Sequence, residues 1–193
     1  LPIWGWADPD EAVSVRSDDN EPVDAKADEK GNWNVTLRPM KADGKPVSFV
    51  EDCAVALPDL AEFTDRLTQC FRKHGTDGTW YAHASVGCLH VRPVLNLRLD
   101  RDVKAMRAIV EEALEMVREY RGALSGEDGD GLVGSEFHEA MFGTRLANSF
   151  LEIKRCFDPD DLFNPGKIVN PARMDDRTLF RYGPDYRVEE LDT

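Results

Sequence analysis

Paired cysteines and an excess of basic residues are lacking in this chain, and each lack narrows what it can be. The four cysteines (Cys53, Cys70, Cys88, Cys156) are scattered over 193 residues with no Cys-x-x-Cys pair. Neither a disulfide framework nor a cysteine-held iron–sulfur cluster is written here. Each sits among apolar neighbours, the usual setting of a buried free thiol, and a reducing, cytoplasmic compartment fits that usage. Lys and Arg number 24 against 37 Asp and Glu, a net charge of −13. That balance argues against nucleic acid and anionic membranes as partners, since both need basic surface. A local cation can still recruit a small anion. No apolar run approaches a membrane span, and the N-terminus lacks a basic-then-apolar signal pattern.

What is present suffices for a core: 41% of residues are hydrophobic. The length allows one ordinary domain, or one with an attached fragment. Residues 1–42 read as a meander of short strands. Leu1 to Pro9 is apolar and ends in a turn, Val13 to Arg16 alternates, and Gly31 to Leu37 alternates again after an acidic stretch.

From Pro46 onward strand and helix patterns succeed each other. Val47 to Val55 reads as a mostly apolar strand. Pro58 opens a helix with Leu60, Phe63, Leu67, Cys70 and Phe71 on one stripe, stopped at Gly75. Thr79 to Leu97 holds two strand segments joined near Gly87. Asp100 reads as the cap of a long helix with Val103, Met106, Val110, Leu114, Val117 and Tyr120 on one face, ended by Gly122. A last helix carries Leu146, Phe150, Ile153 and Phe157. The tail from Asp175 packs through Leu179, Phe180 and Tyr182. The order predicts an α+β fold, a mainly antiparallel sheet covered by helices.

Two segments carry chemistry. His83-Ala-Ser-Val-Gly-Cys-Leu-His90 puts two imidazoles around a glycine, and Ser125-Gly-Glu-Asp-Gly-Asp-Gly131 is an acidic loop beyond the next helix. Two imidazoles and one carboxylate, here Glu127, form a common three-ligand set for a divalent metal with an open position. In an unbroken strand His83 and His90 would point to opposite faces, so the reading needs a bend or bulge at Gly87. The plain alternative is a pair of half-buried histidines with hydrogen-bond partners. For the loop, the alternatives are a surface turn or a calcium loop, although EF-hand spacing is missing. Arg92 and Lys167 are candidate anchors for a substrate carboxylate, with solvated surface charge as the alternative for each. His74 and His138 are assigned no chemistry.

Pro46 to Val55, His83 to Pro93, Ser125 to Gly131 and Phe163-Asn-Pro-Gly-Lys-Ile-Val169 together resemble the C-terminal substrate domain of FAD-linked oxidases. That family includes the D-lactate, glycolate and D-2-hydroxyglutarate dehydrogenases, and the likeness is to its large bacterial iron–sulfur members. The resemblance implies a fold with ferredoxin-like elements over residues 43–186, followed by a tail at 187–193. It implies His83, His90 and Glu127 as ligands of a divalent metal, zinc or manganese, that polarises a 2-hydroxy acid. It places Asp128 where the family has a histidine base, and a carboxylate beside a cation is the weaker base. Gly134 stands where relatives often carry arginine.

FAD and the FAD-binding domain of a parent enzyme are implied as cofactor and partner. The expectation is a fragment that supplies the metal and substrate site but lacks the flavin domain, and so is inactive alone. Residues 1–42 resemble the opening strands of a sialate O-acetylesterase, without its nucleophile, which suggests a fused or chimeric segment. The alternative from a different class is a noncatalytic binding module with a degraded site; an esterase accessory piece is a third. An exposed strand edge makes a homodimer possible.

Overall fold

A computed structural model describes residues 2–15, 22–36 and 44–186. The chain forms two compact units, Leu1–Ala42 and Asp43–Thr193. The tail at 187–193 lies outside the described residues.

The first unit is two paired hairpin arms rather than a meander. Strand β1 (Pro2–Trp6) pairs antiparallel with β4 (Asn32–Thr36), and β2 (Ala12–Val15) with β3 (Val23–Lys26). The acidic stretch therefore contains a strand the residue pattern did not mark. Asp28 turns the chain between β3 and β4 by accepting from the amides of Lys30 and Asn32, each at 2.8 Å. Ala27 and Val35 are its buried apolar side chains among the described residues, which is little core for an independent fold.

The second unit is built around β8 (Cys88–Leu95). Strand β7 (Gly78–His83) runs antiparallel along it, pairing Tyr81 with His90 and His83 with Cys88. Two short strands also pair with β8. These are β5 (Lys45–Pro46) at the Val94–Leu95 end and β6 (Cys53–Ala54) at the Cys88–Leu89 end. The Val47–Val55 run is thus mostly not strand. It bends through Glu51 and Asp52, whose backbone lies at φ 83°, a conformation that breaks a pleated ladder.

Helix α1 (Leu60–Lys73) and helix α2 (Asp100–Glu119) cover the sheet. Their stripes supply Phe63, Leu67, Phe71, Met106, Ile109, Val110 and Val117, which join Leu89 and Val91 in one core. Each such side chain contributes roughly 1.5–3 kcal/mol on burial. Asp100 is the first residue of α2 rather than its cap, and Leu99 precedes it without a side-chain bond. Where the end of α1 meets the interior of α2, Glu112 accepts from Lys73 at 2.7 Å and faces His74 at 3.2 Å. Cys70 stands in the same group, but its thiol is pushed up to about 12 by burial and Lys73 already neutralises the carboxylate. The group is an interhelix latch.

Beyond α2 come the short helices α3 (Gly131–Gly134) and α4 (His138–Phe142), then α5 (Thr144–Phe157). Phe150 packs on Phe142 and His138, while Leu146, Ile153 and Phe157 are exposed. Of the cysteines, Cys53, Cys70 and Cys88 are buried and Cys156, on α5, is exposed against expectation. In the tail, Phe180 packs on the core but Leu179 is exposed. Its anchors are polar: Arg177 pairs with Asp100, and Arg107 lies 3.5 Å from Asp175.

Candidate metal centre

The two histidines meet through a hairpin, not a bulge. Residues Ala84–Val86 form one 3-10 turn, and Gly87 closes it at φ 73°. With His83 opposite Cys88 and Tyr81 opposite His90, all four side chains project from the same face of the hairpin, because cross-strand partners share a face. Seven residues apart therefore means adjacent. The rings of His83 and His90 are 5.0 Å apart and nearly perpendicular, and Tyr81 stacks on His90 at 4.8 Å.

The acidic loop folds back onto this face. Ala54 and Ala123 exchange backbone hydrogen bonds at 2.9 Å, and Gly126 N donates to Asp52 O at 2.8 Å. Glu127 Oε1 then lies 2.7 Å from His90 Nε2 and 3.2 Å from His83 Nε2. His90 is 5% exposed, whereas His83 is 59% and Glu127 42% exposed. The cluster is a buried imidazole at the base with two solvent-reaching groups above it.

These residues offer donors for a divalent cation, but the ligand atoms lying within 4.8 Å of one another are those of Asp52, Cys88, His90 and Glu127, and His83 stands outside that group. Two imidazole nitrogens and one carboxylate oxygen are a common donor set for a divalent cation. His90 Nδ1 is buried without a hydrogen-bond partner, 3.6 Å from Glu51 Oε1. A cation at Nε2 would leave the proton on Nδ1, facing that carboxylate, the usual second partner of a ligating histidine.

Asp52 and Cys88 also lie within reach of His90 and Glu127, but neither is free to ligate. The Cys88 thiol is pushed up to about 12 by burial and by its bond to Asp52. Burial alone would raise Asp52, yet hydrogen bonds from Cys88, Asp128, Glu127 and Ser125 together hold it below its ordinary value.

The structure brings Arg92 to Glu51 instead of leaving it free for substrate. Its Nε and Nη2 donate at 2.8 and 2.7 Å, and Arg92 first, then Tyr81, lowers Glu51 to about 2. Lys167 is half-buried, on a segment tied to the loop: Ile168 N donates to Ser135 Oγ at 2.9 Å, and Ile168 O lies 3.2 Å from His138 Nδ1. His138 Nε2 in turn lies 2.9 Å from Asp130, so this histidine does have a role, anchoring the loop's far end. Asp128 donates its amide to Asp52 at 2.7 Å, and its residue lines a cavity of about 250 Å³ with Ser48, Phe49, Glu51 and Asp130. Gly134 packs on Asp130; an added Cβ would meet its carboxylate at 2.9 Å.

Glu51, Asp52 and Tyr81 escaped the residue reading. The signal was there: two adjacent acids inside Phe49-Val50-Glu-Asp-Cys53-Ala-Val55, a place where unpaired charge is costly.

Fold and cluster together define an α+β domain that presents ligand-type side chains on the outer face of a hairpin. The chain belongs to the family of FAD linked oxidases, C-terminal domain, whose model matches residues 17–168. That match takes in part of the first unit, ahead of the boundary at Ala42. Among curated relatives, D-2-hydroxyglutarate dehydrogenase of Pantoea ananatis is 36% identical over 131 residues, 68% of this chain and 13% of the relative. The Haemophilus influenzae enzyme of that name is 36% identical over 136 residues, 70% of this chain and 13% of its own. D-lactate dehydrogenase of Archaeoglobus fulgidus is 29% identical over 125 residues, 65% of this chain and 27% of its own. The chain thus spans about 13% of the length of the first two relatives.

Proposed function

We propose that this chain is the metal- and substrate-binding portion of an FAD-dependent 2-hydroxyacid dehydrogenase of the D-2-hydroxyglutarate type, working with a flavin-binding domain. The observation that carries the reading is the single Glu127 oxygen standing at the Nε2 atoms of both His83 and His90. A divalent cation, zinc or manganese, supplies Lewis-acid polarisation of a hydroxyl and carboxylate when bound there. FAD, held by the flavin domain, supplies the hydride acceptor.

The chain's own residues bind and orient. His83, His90 and Glu127 would hold the cation, with the Glu51 carboxylate 3.6 Å from His90 Nδ1 on the far side of the ring. Arg92 keeps Glu51 ionised. The Asp128 carboxylate is the group proposed to take the substrate hydroxyl proton, and Lys167 is the cation proposed for a substrate carboxylate. The exposed stripe Leu146, Ile153 and Phe157 on α5 is a natural seat for the flavin-binding domain. No described helix is long and apolar enough to cross a membrane, and a cytoplasmic setting is proposed on the free thiols.

Metal content tests the reading. Dialysis of the folded chain against zinc or manganese should leave one ion per chain, lost in His83→Ala and Glu127→Ala. D-2-hydroxyglutarate should raise the unfolding temperature only of the loaded protein. A folded chain that takes up neither ion overturns the proposal. The noncatalytic reading is favoured by one observation, the carboxylates of Glu51, Asp52, Asp128 and Asp130 around the cavity, which repel an anion. It predicts metal uptake without any response to the hydroxy acid.

A further inference from the structure

We propose that Asp52 is the positioning residue of the metal cluster: its carboxylate clamps the acidic loop so that Glu127 stands at the two imidazoles. The inference rests on the functional reading above.

Asp52 is 2% exposed, and a buried carboxylate is costly unless its oxygens are filled. Here neutral donors fill them. Oδ2 accepts from Ser125 Oγ at 3.0 Å, Glu127 N at 2.9 Å and Asp128 N at 2.7 Å. Oδ1 accepts from Cys88 Sγ at 3.0 Å. Two successive amides converging on one oxygen form an anion-binding nest, and the anion is an internal side chain 75 and 76 positions away.

The backbone of Asp52 closes the same clasp. Its N donates to Leu89 O at 2.8 Å, and its O accepts from Gly126 N at 2.8 Å. One residue therefore ties β8, which carries His90, to the loop that carries Glu127. It does so at φ 83°, a backbone state that persists in non-glycine residues only where the surroundings over-determine it.

The loop needs such a clasp. Glycines at 126, 129 and 131 leave it intrinsically free, and Glu127 is partly exposed. The far end is held by Asp130 against His138; Asp52 holds the near end, at the ligand itself. A ligand held in advance costs less ordering when the cation arrives.

The test uses the full chain and two readouts. In metal-free protein, Asp52→Ala should raise hydrogen exchange at the Glu127 and Asp128 amides at least about tenfold, as expected for amides that lose their acceptor. Amides of β8 and α2 should keep their protection. Zinc affinity by calorimetry should fall about 10–100-fold, the range for loss of an outer-shell partner. Asp52→Asn keeps one acceptor oxygen and should lose less of both. If the alanine variant does not fold, Asp52→Asn and Ser125→Ala, which removes one donor, carry the test. Unchanged exchange at Glu127 and Asp128, or faster exchange with unchanged zinc affinity, overturns the positioning role. Should His83→Ala also leave affinity unchanged, the functional reading fails instead, and the metal-free exchange experiment still decides whether Asp52 clamps the loop.

Discussion

Gly87→Ala should be among the most damaging single-methyl changes in this chain, and its cost can be worked from two separate causes. The first is conformational. Gly87 sits at φ 73°, where an L residue costs roughly 1–2 kcal/mol. The second is steric: a Cβ there would stand 2.0 Å from Val55 O and 3.2 Å from Val55 C. These are backbone atoms, so relief requires parting the turn from the segment after β6. The bond from Val55 N to Gly87 O at 3.1 Å would go with it, a net loss of about 0.5–1.5 kcal/mol.

The sum is about 1.5–3.5 kcal/mol. For a chain of this size each kcal/mol lowers the unfolding temperature by about 2–4 °C, so a drop of about 3–14 °C is expected. Gly75→Ala separates the causes, because Gly75 has φ 74° with nothing within 4 Å of its Cβ. It should cost about 1 kcal/mol, the conformational part alone. Urea unfolding of both variants measures the difference. Equal costs at positions 75 and 87 would refute the steric argument and, with it, the account of why the two histidines are neighbours.

Other changes have equally definite outcomes. Glu51 is lowered from 4.5 to about 2, so its ionised form contributes stability that is complete above about pH 5. That contribution is lost as pH falls from 4.5 through 2. Urea stability of Glu51→Gln should fall below wild type by about 1–2 kcal/mol at pH 6, with the gap closing by pH 2; a gap that widens in acid refutes the assignment. Phe157→Ser, at a side chain 87% exposed, should change stability by under about 0.5 kcal/mol, whereas Phe63→Ala in the core should cost about 3–5 kcal/mol; chemical denaturation compares them. Asp128→His should raise hydroxy-acid oxidation at least about tenfold when the chain is reconstituted with a flavin-binding domain, since imidazole is the better base near neutrality. No gain in stopped-flow flavin reduction would remove position 128 from proton transfer.

The helices and the site hairpin were legible in the residues for physical reasons. The stripe Phe63, Leu67, Cys70 and Phe71 has one period and one buried face, and the strand pair flanking Gly87 appears where the apolar alternation stops and restarts. The proximity of Glu127 to His83 and His90 was legible from their residue types. What failed to show was anything decided by distant partners. Val47 to Val55 looks like a strand because nothing local announces that Asp52 turns to meet a loop far along the chain. Arg92 looks free until Glu51 folds against it. Leu146, Ile153 and Phe157 have the period of a core stripe yet stay exposed among the described residues, and Cys156 is exposed with them.

That outlying thiol offers a practical handle. Burial pushes Cys53, Cys70 and Cys88 up to about 12, so a maleimide dye at neutral pH will label Cys156 in preference to the others. The fluorophore would sit on the bare side of α5, turning that helix into its own reporter of whatever comes to cover it.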